Sequence, residues 1–234
     1  MENQTHTLVH LVRRPDVVTT KPPLLLLLHG VGSNERDLFH LASSLDARFL
    51  ILSVRAPYSL GPESYAWFEV TFTPQGPTIN PTQAEASRKM LISFIREAVA
   101  TYDADPHQIY LMGFSQGAIM SASVALTDPE SIAGAVLMSG RILPEVQPLV
   151  APPKALHRLP FLVVHGTGDT VLPLFHAHES RAFLSSLSVT LTYREYAMGH
   201  EIRPESLKDI ATWLSEQLNR DTPIHTNLRG NGPV

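Results

Sequence analysis

Apolar residues in this chain fall into short unbroken runs separated by longer stretches with helical spacing. The first clear run is "LLLLL", Leu24–Leu28, bounded by Pro22–Pro23 and by Gly30–Gly32. Leucine alone favours helix, but these bounds leave room for a strand and not for a normal helix. Such a strand, apolar on both faces, belongs in a parallel sheet. Runs of the same kind occur at Phe49–Val54, Ile109–Gly113, Ala133–Met138 and Phe161–His165. Val189–Tyr196 alternates more ("VTLTYREY") and is expected nearer an edge, while Thr7–Val12 is expected as an early, antiparallel strand. Between the runs, helical spacing predicts helices over Asn34–Leu45, Thr82–Tyr102, Gln116–Leu126, Leu174–Leu187 and Pro204–Leu218. Alternation of strand and helix predicts a mostly parallel α/β sheet covered by helices on both faces.

Two stretches break the alternation. Arg55–Pro81 is proline-rich with Trp67 and Phe68 at its centre, and Arg141–Pro160 is proline-rich as well. Loops of this length in compact domains are usually functional or disordered, and the aromatics argue against disorder. With 234 residues, no internal repeat and no dividing linker, the expectation is one domain over residues 1–220. The tail 221–234 has little to bury and is expected to be mobile.

Composition narrows the function classes. Hydrophobic residues make up 44% of the chain and charged residues 17%, which suits a sizeable core and not wholesale disorder. A formal charge of −4, with no run of Lys and Arg, gives no footprint for nucleic acid. The absence of cysteine removes disulfides, thiol nucleophiles and thiolate metal sites. The N-terminus lacks a signal-peptide pattern, and Leu24–Leu28 is far too short to cross a bilayer of about 30 Å. A cytoplasmic protein without stable membrane insertion is the expectation.

The chemistry concentrates around "IYLMGFSQGAIMSASVAL", Ile109–Leu126. Gly113-Phe114-Ser115-Gln116-Gly117 matches G-x-S-x-G, directly after a predicted strand and directly before a predicted helix. In that setting a sharp turn lifts the serine hydroxyl above the sheet, and the helix N-terminus aims backbone N–H groups at developing negative charge. A serine needs a base, and the base an orienting acid. Asp169 follows the strand "FLVVH" and His200 follows "YREYAM", so both are expected at the carboxyl ends of strands, on the rim that carries Ser115. The competitors are weaker. His176 and His178 point to different faces of one helix, His225 lies in the tail, and His157 and His165 precede the acid. His165 is expected to make a structural hydrogen bond near the sheet end. Asp128 belongs to the turn after the serine helix, and Asp209 to the final helix. An oxyanion hole needs two donors; these are expected to be the backbone N–H groups of Gln116 and of Val31, in "HGVGSN". That loop matches neither common phosphate-binding glycine pattern.

Taken together, "LLHGVGSNERDLF", "AWFEV", "GFSQGAIMS", "LMSG", "HGTGDTVLP" and "MGHEI" resemble the carboxylesterase/phospholipase group of α/β-hydrolases, which includes acyl-protein thioesterases. The resemblance runs from about Leu24 to Leu218. It implies an α/β-hydrolase fold without a sizeable cap domain and a serine esterase with the triad Ser115, Asp169 and His200. It also implies oxyanion donors on Val31 and Gln116, and tentative substrate-pocket residues at Trp67, Phe68 and Leu172. Val31 stands where the family often has leucine, which keeps the backbone donor and changes the side chain. The expected substrate is a small ester of short to medium acyl chain, and the chain is expected to act as a monomer or homodimer. No metal or organic cofactor is required. Acyl-protein thioesterase or lysophospholipase activity, a non-catalytic binding role on the same fold, and a peptidase or dienelactone-type hydrolase are the alternatives.

Overall fold

A computed structural model of the chain describes residues 7–17, 20–73 and 76–221. Segment 222–234, and with it His225 and the expectation of a mobile tail, lies outside the described residues. In chain order the first strands are β1 (His10–Arg13), β2 (Leu24–Leu28), β3 (Leu50–Val54), β4 (Tyr58–Gly61), β5 (Ser64–Ala66), β6 (Val70–Thr73) and β7 (Gly76–Ile79). Helix α1 (Pro81–Tyr102) follows, then β8 (Ile109–Phe114), α2 (Gln116–Thr127), β9 (Gly134–Met138) and β10 (Pro160–Gly166). The chain continues through α3 (Phe175–Ser185), β11 (Thr190–Tyr196) and α4 (Pro204–Asp221).

Seven strands form one sheet in the order β1-β3-β2-β8-β9-β10-β11. All neighbours are parallel except β1, which runs antiparallel to β3. The leucine run explains itself here. Leu24, Leu26 and Leu28 pack into the core under α1 and α2, with Phe94 and Met120. Leu25 and Leu27 pack into the opposite core with Leu41, Trp213 and Leu214. All five are fully buried, so a strand covered on both faces has no polar position to alternate with. β11, at the edge, is the one sheet strand with repeated exposed positions after β10. Helix α1 starts on Pro81 with Asn80 Oδ1 accepting from Gln83 N at 3.2 Å, a fixed-φ first residue behind a side-chain cap.

Two expectations change. Asn34–Leu45 is not an α-helix: only a 3-10 turn, Phe39–Ser44, forms there, although Leu38, Leu41 and Leu45 are buried as their spacing requires. Asn34 is the reason. Its Oδ1 accepts from Arg36 N at 2.9 Å and its Nδ2 donates to Glu63 O, local bonds that compete with helix nucleation. The Arg55–Pro81 stretch is not irregular throughout, since it carries the small hairpins β4–β5 and β6–β7.

Candidate active site

Ser115 lies between β8 and α2 with φ 54° and ψ −116°. A non-glycine residue in this region costs on the order of 1–3 kcal/mol, held here by the strand and helix on either side. Its N–H donates to Met138 O at 2.9 Å, and its carbonyl accepts from Ala118 N and Ile119 N, so the turn is bonded on both sides. The turn is also crowded. A Cβ on Gly117 would stand 1.9 Å from Leu28 O, so the start of α2 approaches β2 too closely for any side chain. On the other flank a Cβ on Gly30 would stand 3.3 Å from Ser115 Cβ, which places the loop after β2 directly against the serine.

Asp169 and His200 meet at the same sheet edge. His200 Nδ1–H donates to Asp169 Oδ2 at 2.7 Å. The acid's other oxygen accepts from the N–H groups of Val171 (2.9 Å) and Leu172 (2.8 Å), so the carboxylate is fully engaged while its side chain is buried. The loops carrying the two residues are laced together by Thr167 N to Tyr196 O and Gly168 N to Met198 O. The imidazole then packs against Phe114, the residue before Ser115. Among the described residues no hydrogen bond joins the Ser115 hydroxyl to His200; such bonds are often long before substrate arrives.

The backbone N–H groups of Val31 and Gln116 donate to no group among the described residues. For Gln116, a residue 3% exposed, an unspent N–H at the head of a helix is a donor in want of an acceptor. Its side chain is spent. Oε1 accepts from Trp67 N and Nε2 donates to Phe68 O, both at 2.7 Å. Trp67 Nε1 in turn donates to His29 O at 3.0 Å, next to the Gly30–Val31 peptide. Trp67 therefore bridges the two segments that carry the free donors.

Trp67 and Phe68 are 0% and 1% exposed. Both rings lie in the core beside the site, where Trp67 ties the Gln116 side chain to His29 O. Leu172 is half-buried and engages Asp169 through its N–H. Val31 on the loop after β2, Val171 beside Leu172 and Phe175 at the first position of α3 have exposed apolar side chains. The groove of about 690 Å³ between the Phe39–Ser44 turn and α4 includes none of these residues.

Other histidines sit apart from Ser115 or are already engaged. His29 donates from Nδ1 to Gly30 O (2.7 Å) and accepts at Nε2 from Ala56 N (3.0 Å); burial pushes its pKa below the usual histidine value. His178 pairs with Glu195 on the α3 surface. No group of three or more His, Asp or Glu side chains among the described residues could hold a metal ion. Two contacts had no local sequence signal, the Gln116 side-chain tie and the pair of buried Glu35 with half-buried Arg55 (2.6 Å twice), which anchors the end of the loop after β2.

Comparison with known proteins agrees with this architecture. Residues 16–218 match the family model described as phospholipase/carboxylesterase. Carboxylesterase SOBER1 of Arabidopsis thaliana is 27% identical over 208 residues, covering 83% of this chain and 90% of that protein. Acyl-protein thioesterase 1 of Gibberella zeae is 31% identical over 116 residues, 48% of this chain and 49% of that protein. The crystal structure of the Bacillus cereus carboxylesterase superposes with a TM-score of 0.75 at 24% identity, over 90% of this chain and 94% of that one.

Proposed function

Because the chain belongs to the phospholipase/carboxylesterase family of α/β-hydrolases, we propose that it hydrolyses carboxylic esters through Ser115, His200 and Asp169. His200 takes the proton of the Ser115 hydroxyl as the oxygen attacks the ester carbonyl. Asp169 holds the imidazole with its proton on Nδ1 and stabilises the imidazolium that forms. The N–H groups of Val31 and Gln116 receive the oxyanion, a donor contribution of about 3 kcal/mol each. His200 then protonates the leaving alcohol, and a water activated by the same ring cleaves the acyl-enzyme.

One observation supports this reading above the others. The imidazole is tied to a buried carboxylate at 2.7 Å while its face rests on the residue adjoining the serine. The substrate is a short to medium acyl ester, received by the apolar side chains of Val31, Val171 and Phe175. The same steps cleave a thioester, and the partial match to an acyl-protein thioesterase favours that bond as the second reading. The whole of residues 1–220 acts as one domain. No helix among the described residues is long and apolar enough to cross a membrane.

Ser115→Ala is the test. It is expected to abolish hydrolysis of p-nitrophenyl esters and labelling by a fluorophosphonate, with circular dichroism unchanged. Undiminished turnover by that variant rejects the assignment.

A further inference from the structure

His165 is the last residue but one of β10, with its side chain wholly buried. Its Nε2 lies 2.7 Å from Leu172 O and 3.4 Å from Asp169 Oδ2. A carbonyl only accepts, so Nε2 carries the proton, and Nδ1 is a bare lone pair that takes no partner. An orphaned buried acceptor is unfavourable, and an apolar side chain here would avoid it. What the imidazole gains in exchange is a donor aimed at the loop that holds Asp169.

That loop is fastened at both ends of one residue. The N–H of Leu172 donates to Asp169 Oδ1, and its carbonyl accepts from His165. Without the second bond Leu172 is free to swing, taking with it one of the two donors that set the rotation of the carboxylate. The remaining oxygen, Oδ2, stands between two imidazoles, His200 at 2.7 Å and His165 at 3.4 Å.

We propose that His165 is a positioning residue for the reaction: through Leu172 O, and facing Asp169 Oδ2, its Nε2–H fixes the carboxylate so that Oδ2 meets His200. This rests on Asp169 being the acid of the triad. Burial lowers the His165 pKa, which keeps the ring neutral and its single donor on Nε2. The ionisable groups within its electrostatic reach are Asp169, His200 and His176.

The test compares His165→Leu, His165→Gln and His165→Asn with Asp169→Asn in the full chain, by steady-state hydrolysis of p-nitrophenyl butyrate across pH. Glutamine places its amide nitrogen at a reach similar to Nε2, whereas asparagine falls short of Leu172 O. H165L and H165N are expected to lower kcat about tenfold with KM within twofold. They are also expected to move the acid limb of kcat/KM to lower pH, since a loosened carboxylate stabilises the His200 imidazolium less. H165Q is expected to return kcat to within threefold of the parent. If H165L does not fold, H165N against H165Q decides. Full kcat and an unmoved acid limb in H165N, with D169N inert, overturn the inference alone, as does a folded H165Q no better than H165N. A fully active D169N removes the triad reading and this inference with it.

Discussion

The ring of His200 lies 4.9 Å from the ring of Phe114, centroid to centroid, with the planes inclined at 46°. Phe114 closes β8 and Ser115 follows it, so the surface that stops the imidazole from tilting belongs to the same turn as the hydroxyl. Small misplacements of reacting groups cost up to about 100-fold in rate. Phe114→Ala is therefore expected to lower kcat by roughly 10- to 100-fold, and Phe114→Tyr to keep most of it, in steady-state assays with a soluble ester.

Trp67 joins the Gln116 side chain to His29 O. Trp67→Phe keeps the buried ring but removes the indole donor, leaving a buried carbonyl unpaired. The expected loss is about 1–3 kcal/mol of stability in urea unfolding, with kcat falling more than KM rises, because the Val31 donor is no longer held against Gln116.

Gly117→Ala brings a methyl group to 1.9 Å from Leu28 O, backbone against backbone, with no flexible side chain to yield. The sheet and α2 must part to admit it. A destabilisation above about 4 kcal/mol is expected, seen as loss of soluble protein or of the cooperative thermal transition.

His29 and His165 both have lowered pKa values, in each case chiefly through burial. The unfolded chain takes up protons on these rings near pH 6.5, while the folded chain leaves them neutral. Stability therefore falls as pH drops below about 6.5. Asp46 and Glu35 have lowered values too, through Arg48 and Arg55 respectively, and their contribution is lost only as pH falls below the carboxylate range. Thermal unfolding followed from pH 8 to pH 3 is expected to show a first decline between pH 7 and 5 and a second below about 4.

Much of the sheet was legible because its strands are bounded by glycine and proline and carry apolar residues on both faces. The run Leu24–Leu28 is the clearest case. The same spacing rule failed at Asn34–Leu45 for a physical reason. Periodicity reports which side chains are buried, and Leu38, Leu41 and Leu45 are, but it does not report what the backbone is bonded to. There Ser33 bridges Tyr65, Asn34 bonds Arg36 and Glu63, and Glu35 is held by Arg55. Around the serine, the G-x-S-x-G spacing is local and readable. The Gln116 tie joins residues 48 and 49 positions apart, and nothing near Gln116 in the chain announces its partners. Trp67 and Phe68 stand out as aromatics in a proline-rich stretch, but aromatic character alone does not announce their complete burial.

The connection over residues 139–159 links β9 to β10 and lies between two incomplete sets of groups. On its N-terminal side are Ser115 and the Val31 and Gln116 donors; on its C-terminal side are Asp169 and His200. On the proposed mechanism, severing the chain there is expected to leave two fragments, neither of which turns over an ester alone. Turnover regained on mixing them would then count reassembled sheets, which makes this connection a natural place for split-reporter complementation.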